Sequence, residues 1–123
     1  MFEKDVIEIQ AIVANYFEGI FYGDVKKLQS VFHPQCMLFG DINEQPYFKT
    51  LPEYIEGVKN RKSPKELEEN FKMKVLSVEL ANSVAIVKLH VPMLGYNYYD
   101  FLAMHKLNGQ WLIVNKMFTN VTE

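Results

Sequence analysis

The sequence of 123 residues contains only one cysteine, Cys36, and three histidines. A single cysteine excludes an internal disulfide, and no cysteine or histidine pair has the spacing of a zinc site. We therefore expect no metal and no cofactor. One free thiol suits a reducing compartment, so we predict a cytoplasmic location.

The chain also lacks an excess of charge and a long hydrophobic run. Thirteen Lys and Arg against fifteen Asp and Glu give a formal net charge of −2, too small for sequence-independent binding of nucleic acid. No window approaches the roughly 18 apolar residues of a membrane-spanning helix, and the first ten residues, MFEKDVIEIQ, do not have the pattern of a secretory signal. We expect neither a nucleic-acid partner nor a membrane partner.

Aromatic side chains, by contrast, are abundant. Nine Phe, seven Tyr and one Trp make up 14% of a chain that is 49% apolar. The length is that of one domain with a sizeable core, so we predict a single domain over residues 1–123.

The first half of the sequence has the pattern of helices. Apolar residues recur at intervals of three or four over residues 5–22, which predicts an amphipathic helix. Gly23 can end this helix in a left-handed turn, and Asp24 can cap a second helix that His33-Pro34 stops. Residues 36–39 then predict a short strand and residues 40–49 a loop. The spacing of Thr50 and Glu53 is that of a capping box, which predicts a third helix over residues 51–60.

The second half has the pattern of antiparallel strands. Residues 60–70 predict a connection with a helical turn, and four strands follow at residues 71–80, 83–93, 98–107 and 110–121. Asn108-Gly109 is the strongest hairpin signal in the chain. Helices first and antiparallel strands second predict an α+β fold with helices on one face of the sheet.

A two-residue turn at Asn108-Gly109 fixes the register of the last hairpin, because it pairs Leu107 with Gln110. One face is then predicted to carry Tyr99, Phe101, Ala103 and His105 opposite Phe118, Lys116, Val114 and Leu112. The other is predicted to carry Tyr98, Asp100, Leu102, Met104 and Lys106 opposite Thr119, Met117, Asn115, Ile113 and Trp111. Both faces are largely apolar and must be covered, one by helices and the other by a second copy of the sheet. We therefore predict a homodimer.

In the preceding strand, the apolar set Ala85, Val87, Leu89 and Val91 is predicted to face the helices. This choice sets His90 beside Asp100 on the opposite face if the loop around Gly95 has an odd number of residues. The sequence leaves that count open, and with it the faces of Lys88 and His90. His33, at a helix end, is expected to cap backbone carbonyls.

Three parts of the sequence resemble the NTF2-like superfamily: YFEGIFYGD at residues 16–24, Leu28 followed by VFHP at residues 31–34, and NGQWLIVNK at residues 108–116. More narrowly, the sequence looks like the small bacterial members grouped with the polyketide-cyclase-like and lumazine-binding proteins. The resemblance implies a cone, in which three N-terminal helices close the concave face of a bent, mainly antiparallel sheet around an apolar pocket. The convex face commonly forms a dimer. The superfamily includes isomerases, dehydratases, cyclases, epoxide hydrolases and binding proteins, so the fold alone implies no single activity.

The resemblance also implies which side chains line the pocket. The candidates are Tyr16, Phe39, Tyr54, Phe71, Tyr99, Phe101, Val114, Lys116 and Phe118. Ketosteroid isomerase, a member of the superfamily, uses an Asp base and an oxyanion hole of Tyr and protonated Asp. Tyr16 matches the oxyanion tyrosine, but the base position falls on Gly40 and the acid position on Ala103. We therefore do not expect ketosteroid isomerisation.

Lys116 is the most informative candidate, because the register places it on the concave face among apolar residues. A lysine there needs a carboxylate, a ligand anion or an exit to water. Tyr16, Lys116 and His105 are the candidates for a catalytic role.

Three functions remain open. The first is a small-molecule-binding domain for an anionic or cyclic ligand. The second is an isomerase, cyclase or dehydratase acting on a small cyclic carbonyl compound. The third is a dimeric structural or interaction module whose cone is filled by its own side chains.

Overall fold

The computed structural model describes residues 2–122, which form three helices and a six-stranded sheet. The helices are α1 (Phe2–Tyr22), α2 (Val25–Val31) and α3 (Leu51–Asn60). The strands are β1 (Phe32–Ile42), β2 (Gln45–Thr50), β3 (Lys74–Ala81), β4 (Val84–Met93), β5 (Tyr96–Leu107) and β6 (Gln110–Asn120). In the part of the chain described, no helix has the length and hydrophobicity to span a bilayer.

The helices begin and end close to the predicted positions, because their capping residues act locally. Gly23 has a φ of +68°, and the Asp24 carboxylate accepts a hydrogen bond of 3.1 Å from the backbone N–H of Lys27 in α2. At the start of α3, the Glu53 carboxylate accepts hydrogen bonds from the backbone N–H of Thr50 at 2.9 Å and from its hydroxyl at 3.0 Å. The three predicted helices are confirmed.

The loop predicted over residues 40–49 is wrong, because most of it belongs to a β-hairpin. Strand β1 continues to Ile42, a turn at Asn43 and Glu44 follows with φ values of +51° and +71°, and β2 then pairs with β1. The Gly, Asp, Asn and Pro content favoured a loop. Pro46 is nevertheless tolerated because β2 is an edge strand, where a missing N–H does not interrupt the sheet.

The strands form one curved sheet in the order β2-β1-β6-β5-β4-β3. Strands β1 and β6 are parallel and all other neighbours are antiparallel. The helices cover one face, and Leu38, Val87, Leu102 and Ile113 of that face are fully buried. The predicted α+β architecture, with helices on one side of a mainly antiparallel sheet, is confirmed.

The register of the last hairpin changes part of the way along it. The predicted pairing holds from Leu107–Gln110 to Met104–Ile113, and then a β-bulge at Val114 pairs Ala103 with Asn115. A bulge inserts one unpaired residue, so every later side chain of β6 changes partners by one position. The predicted pairing beyond the bulge is therefore wrong.

The bulge also corrects the predicted faces. Lys116 pairs with Leu102, and Phe118 pairs with Asp100, all on the helix-covered face. Tyr99 and Phe101 instead pair with Thr119 and Met117 on the open face of the sheet. Lys116 thus faces the interior as predicted, but with different neighbours.

The open face also holds the residues whose orientation the sequence left undecided. Lys88 pairs with Phe101, and His90 pairs with Tyr99, whose ring it stacks on at 4.6 Å. The loop around Gly95 has two residues, so the condition for placing His90 beside Asp100 is not met, and Leu89 holds that position. Large apolar side chains on this face are well exposed: Met37, Phe39, Phe48, Val84, Ile86, Phe101 and Met117.

Candidate functional site

A cavity of about 60 Å³ lies between α3 and the helix-covered face of the sheet. Its lining consists of Ile42, Tyr47, Tyr54, Arg61, Met93, Tyr98, Asp100, Lys116 and Phe118. An engineered protein cavity of roughly 150 Å³ admits benzene, so this one has room for a polar group of a few atoms but not for a whole ring. Ile42, Tyr47 and Arg61 are only partly buried, so their side of the cavity is nearest to solvent.

Lys116, which is 5% exposed, lines the cavity with a buried amine group. It is within 4.7 Å of the ring centre of Tyr54 and within 5.2 Å of those of Tyr16 and Phe118. It donates a long hydrogen bond of 3.4 Å to the Tyr54 hydroxyl and is 3.9 Å from Oδ2 of Asp100. Burial alone lowers the pKa of Lys116, but Tyr54 and Asp100 raise it, and the net shift is upward. Lys116 is therefore a fixed positive charge.

Asp100 supplies the carboxylate that a buried lysine needs. Its side chain is almost fully buried, and Oδ2 accepts a hydrogen bond of 2.6 Å from the hydroxyl of Tyr16 on α1. Burial and the charge of Asp100 both raise the pKa of Tyr16, so its hydroxyl stays protonated and acts as a donor. The carboxylate thus has a hydroxyl donor on one side and an ammonium group on the other.

Two further tyrosines, Tyr47 and Tyr98, line the cavity beside Phe118. The ring of Phe118 contacts the ring of Tyr47 at 4.9 Å and that of Tyr98 at 5.6 Å, both nearly edge to face. Burial raises the pKa of Tyr98 to about 12 and also raises that of Tyr47. Both hydroxyls are therefore protonated at neutral pH.

The structure brings together four of the predicted site residues, Tyr16, Tyr54, Lys116 and Phe118. It separates the others from them. Phe39, Tyr99 and Phe101 lie on the open face, and Phe71 packs outside the cavity against Phe17 and Phe21. Val114, at the bulge, and His105 line a shallow groove on the open face.

Sequence reasoning missed Tyr47, Arg61, Tyr98 and Asp100. Tyr47 was in the predicted loop, and Tyr98 and Asp100 were assigned to the face opposite Lys116. A buried lysine needs a carboxylate, and this need was the signal that could have identified Asp100. The error in the predicted register placed Asp100 on the other face and hid it.

The arrangement can bind and polarise a small polar group. The Lys116 ammonium and the Tyr54 hydroxyl are donors for a ligand oxygen, and Asp100 can accept or return a proton. The position matched to the isomerase base is Gly40, where a Cβ would clash with the carbonyl oxygen of Phe118. No group of three or more potential metal ligands occurs within residues 2–122.

Comparison with known protein families gives one match along nearly the whole chain. The model of the family described as "Putative lumazine-binding" matches residues 4–119. Among curated proteins, an aldolase of a Cladobotryum species, FrzH, is 28% identical over 90% of each chain.

Similar solved structures carry the same fold. An NTF2-like protein of unknown function from Methylobacillus flagellatus has a TM-score of 0.87 at 19% identity, over 97% of this chain and 94% of its own. A second one, from Silicibacter pomeroyi, has a TM-score of 0.85 at 18% identity, over 98% and 99%. A cystatin-like fold protein from Burkholderia xenovorans has a TM-score of 0.70 at 12% identity, over 96% and 92%. At these identities the likeness establishes the NTF2-like fold and nothing finer.

Proposed function

This chain belongs to the family described as "Putative lumazine-binding", with an NTF2-like fold, and we propose that it binds a small cyclic ligand at the Lys116 cavity. The observation that carries the proposal is the buried ammonium of Lys116, held 3.4 Å from the Tyr54 hydroxyl at the wall of a cavity. Two donors that converge on a small space recognise an oxygen of the ligand.

The size of the cavity determines how such a ligand binds. About 60 Å³ takes an oxygen-bearing group, while the ring system stays at the solvent side against Tyr47, Tyr98 and Ile42. Lumazine fits this arrangement, because its ring carbonyls can enter the cavity while its flat bicyclic ring packs on the tyrosines. We propose lumazine-like heterocycles as the ligand class.

Isothermal titration calorimetry with lumazine tests the proposal. We expect saturable binding to the wild type and a loss of at least about tenfold in affinity for Lys116→Met, because the main donor is removed. Tyr54→Phe keeps the ring but removes the hydroxyl, so we expect a smaller loss of affinity. This variant still tests the proposal if Lys116→Met does not fold. The control Lys26→Met, at an exposed lysine of α2, leaves the affinity unchanged. No binding by the wild type contradicts the proposal and favours the third hypothesis, an interaction module with a filled cone.

An enzyme is the second candidate function, and the Asp100 carboxylate beside the Lys116 ammonium in the cavity lining favours it. In this hypothesis Lys116 polarises a ligand carbonyl and Asp100 moves a proton on the adjacent carbon, as an isomerase, cyclase or dehydratase of a cyclic carbonyl compound requires. The similarity to a protein named as an aldolase extends the hypothesis to aldol chemistry. The raised pKa of Lys116 argues against Lys116 itself as base.

Proton exchange measures this second activity without knowledge of the substrate. We expect the protein to accelerate deuterium exchange at the carbons next to the carbonyl of cyclohexanone in D₂O, as followed by NMR. Asp100→Asn abolishes the acceleration, whereas His105→Gln on the open face retains it. An exchange rate equal to that of buffer rejects the enzyme hypothesis for this class of ketone.

A homodimer is the third part of the proposal. The exposed apolar side chains on the open face, including Phe101 and Met117, need a cover, and a second copy of the same face supplies one. We expect a mass of twice 14.4 kDa by light scattering and a monomer for Ile86→Lys. A wild-type monomer at micromolar concentration rejects the dimer.

We propose that residues 1–123 form one domain, because in residues 2–122 all strands join a single sheet and all helices contribute to a single buried cluster. We also propose a cytoplasmic location, since the one cysteine is a free thiol.

A further inference from the structure

Arg61 is the only arginine in the sequence, and it lines the cavity that holds Lys116. It follows the last residue of α3 with an extended backbone, so its side chain is attached where the helix ends. Its Nε and Nη2 atoms are both buried, and neither has a hydrogen-bond partner among residues 2–122. No other buried side-chain nitrogen or oxygen of the described residues lacks a partner.

Such an arrangement is costly for arginine. The guanidinium keeps its charge at all physiological pH values, and a buried donor without a partner loses the hydrogen bonds it made to water. The great majority of buried polar side chains in proteins have a partner, so an exception calls for an explanation. Nε and Nη2 lie on the same edge of the guanidinium, and this edge forms the paired hydrogen bonds to a carboxylate.

The charges around the cavity point in the same direction. Among the lining residues, Arg61 and Lys116 are positive and Asp100 alone is negative, which leaves one positive charge unbalanced. Asp100 is already hydrogen-bonded to Tyr16 and is 3.9 Å from Lys116, so the unbalanced charge is that of Arg61. The guanidinium also opposes the upward pKa shifts that burial produces in Tyr47 and Tyr98, which places its charge close to both rings.

We propose that Arg61 binds a carboxylate through its Nε and Nη2 atoms, so that small cyclic carboxylates are a second ligand class of this cavity beside lumazine-like heterocycles. This inference rests on the proposed function, because it concerns the same cavity. A carboxylate is small enough for a space of about 60 Å³, and its ring would lie against Tyr47 and Tyr98. Lys116 then adds a second positive charge to the site.

The test compares the affinity of benzoate with that of benzamide, which has the same shape without the charge. The variants are Arg61→Gln, Arg61→Lys and the control Lys62→Gln, which removes the neighbouring exposed charge. We expect wild type and Lys62→Gln to prefer benzoate by at least about tenfold, since charge-assisted paired hydrogen bonds have that strength. Arg61→Gln reduces the preference to about twofold or less without changing the affinity for benzamide. Arg61→Lys gives an intermediate preference for benzoate, because lysine keeps the positive charge but cannot form the paired hydrogen bonds of a guanidinium.

Lumazine, titrated in parallel, separates the failure of this inference from the failure of the proposed function. Lumazine binding that depends on Lys116, together with equal affinities for benzoate and benzamide, overturns the role of Arg61 and leaves the proposed function intact. A benzoate preference that survives Arg61→Gln also overturns it. If the wild type binds none of the three compounds, both proposals are wrong.

Discussion

The buried contact between Lys116 and Asp100 leads to a prediction about stability that can be worked out from the structure. The two side chains are 6% and 3% exposed, and Nζ is 3.9 Å from Oδ2. Removal of one partner from a buried ion pair leaves the other charge without compensation and typically costs 3–5 kcal/mol. Because this pair has no direct hydrogen bond and Asp100 keeps that of Tyr16, we take the lower end, about 3 kcal/mol.

Lys116→Met and Asp100→Asn are therefore each expected to lower the free energy of unfolding by about 3 kcal/mol. In the double variant no buried charge remains, so we expect a loss no larger than that of either single variant, about 3 kcal/mol rather than the sum of about 6. Urea denaturation followed by circular dichroism measures all four proteins, with Lys26→Met as a control expected within about 0.5 kcal/mol of the wild type.

Additive losses in this double-mutant cycle would refute the reasoning. A coupling energy below about 0.5 kcal/mol would mean that Lys116 and Asp100 do not compensate one another's charge. It would also remove the basis for treating Lys116 as a fixed positive charge.

Three further predictions concern other parts of the fold. Gly40→Ala should destabilise the protein by more than about 3 kcal/mol, because its Cβ would meet the Phe118 carbonyl. Gly57→Ala has open space in α3, so it should raise the free energy of unfolding by about 0.5–1 kcal/mol. A neutral Gly40→Ala in urea denaturation would contradict this. Lys106 and Trp111 donate hydrogen bonds to Asp5 and lower its pKa below 3.8, so the carboxylate stabilises the fold above that pH. The difference in unfolding free energy between the wild type and Asp5→Asn should therefore shrink as the pH falls below about 3.8. A difference that stays constant with pH would contradict this. Burial raises the pKa of Cys36 to about 12, so iodoacetamide at about pH 8 should label this thiol only after the protein unfolds. Rapid labelling of the native protein would contradict the burial of Cys36.

Sequence reasoning located the elements that local interactions determine. The helices follow from apolar spacing and from caps such as Asp24 and the Thr50–Glu53 box, which act over three residues. The hairpin at Asn108-Gly109 follows from the φ values its turn requires, +51° and +78°. These features depend on neighbours along the chain and are visible in the sequence.

The site depends on contacts distant in sequence, and there the prediction was incomplete. The bulge at Val114 has no signal in the sequence, yet it places Asp100 rather than Phe101 on the face of Lys116. Tyr16 and Asp100 are 84 residues apart along the chain and meet only because α1 packs on the sheet. Arg61 gave no signal either, since its importance comes from burial without a partner.

Mapping of lumazine binding by NMR tests the central claim most directly. In a titration of ¹⁵N-labelled protein, we expect the largest amide shift changes at residues around the cavity, such as Ile42, Arg61 and Lys116. Phe101 and Met117 of the open face should change little. Shift changes confined to the open face, or none at saturating lumazine, would contradict a ligand site at Lys116.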